Sequence, residues 1–361
     1  MKRALALAQR GYGRTSPNPM VGAVIVKRGK VIAEGWHHAA GRPHAEIEAL
    51  EAARRRGRTA HGATLYVTLE PCSTHGRTPP CTAAIIAAGI RRVVAAAEDP
   101  NPAHRGAGFR ILERAGIEVS RGLMAAASSR LNEAFHHWIV KRTPFVIVKA
   151  GMSLDGRIAA KTGQSHWITS ERARRRGMRV RAGMDAILAG VNTIVQDDPR
   201  LTLREPGFED KALRRIILDP SGRTPPGAKV LNDELAQRFT TVVVTRGAPR
   251  KRVEALQKLA QVWAAPARRG RIDLAWVLRA LGEQGVVSLL VEGGGETNVN
   301  FLREGLAQRV MFYYAPIIIG GARAPKAVGG RDILSLEEGL GLREAEWEKA
   351  GDDLCLTALI D

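Results

Sequence analysis

The chain has 361 residues, 45% hydrophobic and 25% charged, which are ordinary globular proportions; they exclude a disordered or fibrous polypeptide and exceed what one core usually organises. Its net charge of +19 is mostly Arg spread along both halves, with no basic arm or RNA-binding signature, so compositional bias plus small phosphorylated ligands explains it at least as well as a nucleic-acid partner. Three cysteines, Cys72, Cys81 and Cys355, cannot build a disulfide framework and suit a reducing compartment, the cytoplasm, and no apolar run approaches the roughly 20 residues that cross a bilayer.

The amino terminus has a basic start but no uninterrupted apolar stretch, and reads as an amphipathic first helix over residues 1–10. Strands are expected at residues 21–26, 31–34, 64–69 and 92–97, the first two joined as a hairpin through Lys27-Arg28-Gly29-Lys30. Helices are expected to begin near His44, Cys81 and Gly106, giving a largely parallel sheet covered by helices. One further helix is expected over residues 124–140, ending before Thr143-Pro144, where the proline disfavours helix and where the domain boundary is placed: 1–143, then 144–361. The second half repeats the α/β alternation, with strands expected at 145–150, 186–189, 215–218, 241–244, 286–291 and 310–314. The runs Arg54-Arg55-Arg56 and Arg174-Arg175-Arg176 read as solvated helix faces.

The chemistry of the first half is concentrated in Pro43-His44-Ala45-Glu46 and Glu70-Pro71-Cys72, followed after eight residues by Cys81. One imidazole and two thiolates are three ligands of a tetrahedral zinc site, and an open fourth position means catalysis rather than structure. Zinc makes water acidic, and a carboxylate that is not a ligand can move protons from that water to a departing amine; Glu46 is placed for this. The eight-residue spacing departs from the P-C-x-x-C of the zinc deaminase signature. His75 in that insert is either a fourth ligand of a structural site or, with Arg77, a contact for an anionic substrate group. Asn18, in Pro17-Asn18-Pro19, either reads a ring edge through its carboxamide or simply makes a turn.

In the second half, Leu290-Val291-Glu292-Gly293-Gly294-Gly295-Glu296-Thr297 is a strand running into glycines and a helix over 297–303, a phosphate cradle or a plain tight turn. Further segments at strand or helix ends are Lys149 to Arg157, Trp167 to Ser170, Gly190 to Thr193 and Asp197 to Thr202, where open α/β sheets bind ligands. Helix capping, turn formation and core packing of Trp167 are the competing accounts of these segments.

Pro17-Asn18-Pro19, His44-Ala45-Glu46 and the twelve residues from Glu70 to Cys81 resemble the deaminase domain of the bifunctional riboflavin-biosynthesis deaminase/reductases, and the later motifs follow in that family's order. The resemblance implies a cytidine-deaminase-like three-layer domain followed by a dihydrofolate-reductase-like α/β domain. It implies zinc on His44, Cys72 and Cys81, with Glu46 as the proton shuttle, acting on a phosphorylated diaminopyrimidinone that becomes the corresponding uracil. It also implies an NADPH site at Gly151, Ser165, Trp167, Thr193, Asp197, Gly294, Gly295, Glu296 and Thr297, for reduction of the ribosyl side chain to ribityl. Arg181, Leu201, Arg204 and Glu292 are the implied substrate contacts, with Lys149 orienting the sugar. Relatives often carry serine where this chain has Pro220, which leaves Ser221 as the alternative contact. Two rivals remain: a nucleic-acid base deaminase with an appended binding domain, which the long intercysteine insert disfavours, and a zinc-stabilised scaffold without activity. Neither a membrane nor a nucleic-acid partner is expected, and a homo-oligomer is compatible with the reading.

Overall fold

A computed structural model describes residues 1–74, 79–268 and 270–361, which divide into two compact units, Met1–Arg142 and Thr143–Asp361. In the first, helix α1 (Lys2–Ala8) precedes strands β1 (Gly22–Lys27) and β2 (Lys30–Trp36), then α2 (Ala45–Arg55), β3 (Thr64–Leu69), α3 (Cys81–Ala87), β4 (Arg92–Ala97), α4 (Ala107–Arg114), β5 (Glu118–Arg121), α5 (Ala125–Leu131) and α6 (Glu133–Lys141). The sheet order is β2-β1-β3-β4-β5.

The alternation of side chains along β1 explains the layering. Ala23 and Ile25 join one core with Ala45, Ala49, Leu65, Val67, Ile85, Phe109 and Leu112, whereas Val24 faces Ala4 and Leu7 of α1. Both faces are therefore covered. The β1–β2 hairpin is present with Arg28 and Gly29 at positive φ, as a tight two-residue turn requires. Only β3-β4-β5 is parallel; β3 runs antiparallel to β1, so this sheet is more mixed than expected.

The single helix expected over 124–140 is two helices broken at Asn132. Its side chain clamps Met20, Oδ1 accepting from the Met20 N–H at 2.8 Å and Nδ2 donating to the Met20 carbonyl at 2.9 Å, and its backbone leaves helical geometry to do so.

The second unit begins with β6 (Phe145–Ser153), α7 (Glu171–Ala182), β7 (Ala186–Gly190), α8 (Val191–Asp197), β8 (Arg214–Leu218), α9 (Ala236–Phe239), β9 (Thr240–Thr245), α10 (Arg250–Gln257) and β10 (Gln261–Ala265). A small ribbon, β11 (Ala267–Arg268) and β12 (Arg271–Ile272), leads to α11 (Leu274–Glu283), β13 (Ser288–Val291), α12 (Gly295–Arg303), β14 (Arg309–Ala315), β15 (Leu342–Ala350) and β16 (Asp353–Ile360). The main sheet runs β10-β9-β8-β7-β13-β6-β14-β16-β15, parallel until β14 meets β16 antiparallel. Ala186 and Leu188 face one core with Val277, Leu281 and Phe301, and Ile187 and Ala189 face another with Ile194, Leu213 and Leu256. The strand expected over 286–291 is confined to Ser288–Val291, and α12 starts at Gly295, two residues before the expected start. Among the described residues no helix is long and apolar enough to cross a membrane.

Candidate active sites

The segments that follow β2 and β3 lead into α2 and α3, and with the starts of those helices they carry His44, Glu46, Cys72 and Cys81 to one place. His44 Nδ1 lies 3.3 Å from Cys81 Sγ and 3.5 Å from Cys72 Sγ, and the three ligand atoms are all within 4.8 Å of one another. A zinc tetrahedron with arms of about 2.0–2.3 Å has edges of roughly 3.5 Å, so this donor set fits the ion. Cys72 Sγ accepts the Cys81 backbone N–H at 3.2 Å. Hydrogen bonds from Cys81 and His44 draw its thiol down against the opposing effect of burial, while the same hydrogen bond and burial push the Cys81 thiol up.

Glu46 is 3% exposed, and burial, reinforced by the charge of Cys72, pushes its carboxyl up to about 7. It is a carboxyl poised to accept and return a proton. The cavity holding these groups is about 220 Å³, and Asn18, His37, Glu70, Asp99, Asn101, His104 and Phe135 also line it. Asn18 Nδ2 donates to His37 Nε2 at 3.1 Å, and His37 Nδ1–H donates to the Pro43 carbonyl at 3.0 Å. Burial lowers the His37 pKa, so the ring is held neutral, edge-on to His44 at 5.4 Å between ring centres. Asn18 thus stands in the cavity, beyond what a turn alone needs. His75 and Arg77 lie outside the described residues.

In the second unit a cavity of about 330 Å³ opens at the carboxyl ends of β7, β8 and β13, lined by Gly190, Asn192, Thr193, Pro220, Arg223, Arg271, Gly294, Gly295, Glu296, Thr297 and Asn300 among others. Five of the nine residues expected to hold the nicotinamide cofactor therefore come together there: Thr193, Gly294, Gly295, Glu296 and Thr297. Pro220 rather than Ser221 is on its wall. Ser165 donates to Asp197 at 3.1 Å, and Trp167, which is 68% exposed and so no core residue, carries Arg174 over its ring at 4.3 Å. Gly151 sits on β6 against Thr169, where an added Cβ would come within 3.1 Å of the threonine methyl.

The residues expected at the substrate divide differently. Arg181 Nη2 donates to Glu292 at 2.7 Å, and the charge of Lys149 acts on the same carboxylate, so these three form one group. Arg204 presents its backbone N–H to Met178 Sδ at 3.4 Å. Leu201 has its side chain in the core, 5% exposed, and a φ of 51°, so it is a backbone feature. Sequence reasoning passed over His37, Asp99, Asn101, His104 and Phe135 in the first cavity and Arg223 and Arg271 in the second. A signal existed for one: Asn101 stands in a second Pro-Asn-Pro, residues 100–102, which repeats the Asn18 motif.

Comparison with known proteins places both halves. Residues 1–97 match the model of the cytidine and deoxycytidylate deaminase zinc-binding region, and residues 144–356 match the RibD C-terminal domain. The riboflavin biosynthesis protein RibD of Aquifex aeolicus is 44% identical, covering 99% of this chain and 96% of that protein, and that of Escherichia coli is 40% identical, covering 99% and 97%. Among solved structures, Acinetobacter baumannii RibD superposes with a TM-score of 0.88 at 34% identity, covering 100% of this chain and 97% of the other. The Thermotoga maritima diaminohydroxyphosphoribosylaminopyrimidine deaminase/5-amino-6-(5-phosphoribosylamino)uracil reductase gives 0.87 at 35%, with the same coverage. With a zinc-fitting His/Cys cluster in one half and a ligand cavity at the strand ends of the other, the chain belongs to the RibD family, the bifunctional deaminase/reductases of riboflavin biosynthesis.

Proposed function

We propose that residues 1–143 deaminate 2,5-diamino-6-(5-phosphoribosylamino)pyrimidin-4(3H)-one and that residues 144–361 reduce the ribosyl side chain of the product to ribityl. The observation that carries the first step is a buried Glu46 in the same cavity as a zinc-fitting His44/Cys72/Cys81 set. His44, Cys72 and Cys81 hold the metal, and zinc, when bound, supplies the acidity that brings a water into reaction at neutral pH. Glu46 would act as the proton carrier between the attacking water and the departing amine; burial puts its carboxyl at about 7, where it can both accept and return a proton. Asn18, fixed by His37, offers its remaining carboxamide oxygen to the ring edge. His75 and Arg77 are assigned to the anionic end of the substrate.

In the reductase half, Thr193, Gly294, Gly295, Glu296 and Thr297 line the cavity assigned to the cofactor, and Gly151, Ser165, Trp167 and Asp197, which do not line it, are assigned to the same ligand. NADPH, when bound, supplies the hydride. The α12 start offers backbone N–H groups to its phosphates, and Gly294 has no atom within 4 Å of where a Cβ would stand, which leaves the approach open. Lys149, Arg181, Leu201, Arg204 and Glu292 are assigned to the phosphorylated sugar. The thiolates that the zinc site needs are kept reduced in the cytoplasm, where we place the enzyme. A coupled assay with the phosphoribosylamino substrate, following ammonia and NADPH separately, tests both steps. Ammonia release without NADPH oxidation would remove the reductase assignment, and no ammonia from the zinc-loaded protein would remove the deaminase one.

A further inference from the structure

The loop after β4 carries Asp99, Asn101 and His104 into the deaminase cavity. Its own contacts are short-range: Asp99 Oδ1 accepts the Asn101 N–H at 2.9 Å, and Asn101 Oδ1 accepts the Ala103 N–H at 3.1 Å. Besides a partly exposed Glu98–Arg121 ion pair at 3.5 Å, what ties it to the rest of the fold is the buried Glu70. One oxygen of this carboxylate accepts the Asp99 N–H at 3.0 Å and the Gly106 N–H at 2.9 Å; the other accepts the Gly108 N–H at 2.9 Å. Those three amides sit at the two ends of the loop, Asp99 where it leaves β4 and Gly106 and Gly108 where it enters α4.

Glu70 is 6% exposed and has no cationic partner among the described residues. A buried carboxylate without a countercharge is costly unless hydrogen bonds to it replace water, and three backbone N–H groups do so here. The α4 amides would otherwise lack partners at the helix start, so the grip serves both sides. The fit is tight: a Cβ on Gly108 would stand 2.1 Å from the Pro71 carbonyl and 3.2 Å from Glu70 Oε1, so only glycine lets the helix come this close.

Glu70 itself also borders the cavity, but both its oxygens are committed to the loop. We propose that Glu70 is a positioning residue of the deaminase site: its buried carboxylate, holding the backbone at Asp99, Gly106 and Gly108, sets the loop that presents Asp99, Asn101 and His104 to the substrate and so governs substrate affinity. The proposal rests on the deaminase reading above. The chemical step stays with Glu46 and the metal ligands, which the loop does not carry.

The test uses the full-length zinc-loaded protein and the variants Glu70→Gln, Asn101→Ala and their combination, with zinc content, ammonia-release kcat and KM, and hydrogen exchange over residues 98–108 as readouts. Gln keeps the shape but turns an NH2 group towards backbone donors. Loss of hydrogen bonds to a charged acceptor corresponds to a KM increase of roughly 10- to 100-fold, with kcat within about threefold of wild type and zinc retained. Exchange should accelerate in 98–108, and Asn101→Ala should cost less in the Glu70→Gln background than in wild type, because its side chain is already displaced. An unchanged KM, additive effects of the two substitutions, or zinc and kcat falling together while KM stays constant would each overturn the proposal. If Glu70→Gln does not fold, Glu70→Asp, which retracts the carboxylate by one methylene, is judged by the same criteria, and failure of both to fold assigns Glu70 a purely structural role. A wild-type protein that releases no ammonia refutes the deaminase reading instead, and is distinguished by that control.

Discussion

Arg181 and Glu292, 111 residues apart in sequence, are a hydrogen-bonded ion pair: Arg181 Nη2 donates to Glu292 at 2.7 Å while its Nη1 donates to the Thr202 carbonyl at 2.8 Å. Both side chains are mostly buried, 12% and 16% exposed. Burial alone would raise the Glu292 carboxyl, but the charges of Arg181 and Lys149 outweigh it and hold the carboxyl below its ordinary value. A depressed carboxyl contributes stability that is present above its unfolded-state value of about 4.3 and is lost as pH falls through the lower folded-state value. Glu292→Gln should therefore destabilise the protein by about 2 kcal/mol at pH 7, with the difference from wild type shrinking as pH drops below about 4. Urea denaturation across that range measures it, and a difference that grows on acidification contradicts the pairing.

The zinc site makes a prediction that separates metal binding from proton transfer. Glu46→Gln should retain zinc, because the carboxylate is not a ligand, yet reduce ammonia release by roughly 10²- to 10⁴-fold. Metal analysis beside an ammonia assay decides it. A chelator should abolish ammonia release while leaving NADPH oxidation on the deaminated product unchanged, since no part of the metal set lies in residues 143–361.

Two adjacent glycines in the cofactor cavity should respond in opposite ways. A Cβ at Gly294 meets nothing within 4 Å, and its φ of −73° suits any residue, so Gly294→Ala should fold normally and lose NADPH affinity by blocking the ligand's approach. A Cβ at Gly295 would stand 2.3 Å from the Lys326 carbonyl, so Gly295→Ala should cost about 1–3 kcal/mol of stability. Thermal unfolding and cofactor titration of both variants test the contrast, and equal Tm losses would contradict it.

Strongly patterned features were legible in the residues themselves. The strand at Thr64–Leu69 follows from its β-branched run, and the convergence of His44, Cys72 and Cys81 follows from chemistry that admits few arrangements. What the sequence concealed depends on tertiary context. Asn132 looks like a neutral residue inside one helix until Met20 offers it two backbone bonds. β15 has eight consecutive exposed residues and no alternation to announce a strand, so only its pairing with β16 reveals it. Leu201 fits a ligand-binding pattern, yet its side chain is drawn into the core behind α8. Asp99, Asn101 and His104 line the deaminase cavity from a loop whose two ends are hydrogen-bonded to Glu70, a contact made only in the fold.

Arg215 on β8 poses the last test, because a charge in mid-sheet is a conflict unless every donor is met. The residue is 1% exposed. Its Nη1 and Nη2 donate to Asp233 at 2.6 and 2.8 Å, Nε donates to Thr240 Oγ1 at 2.8 Å, and Nη1 also reaches the Arg200 carbonyl at 3.2 Å, next to Leu201. Burial would raise the Asp233 carboxyl, but Arg215 more than compensates and lowers it. Removing only the acid leaves an uncompensated buried guanidinium, so Asp233→Ala should cost about 3–5 kcal/mol, whereas exchanging both residues, Arg215→Met with Asp233→Leu, removes the charge and its desolvation together and should cost less. Because Arg215 also holds the Arg200 carbonyl, the double variant should recover more stability than reductase activity. Equilibrium denaturation of the three proteins gives the ranking, and a double variant less stable than Asp233→Ala would show that the pair contributes through packing that apolar side chains cannot replace.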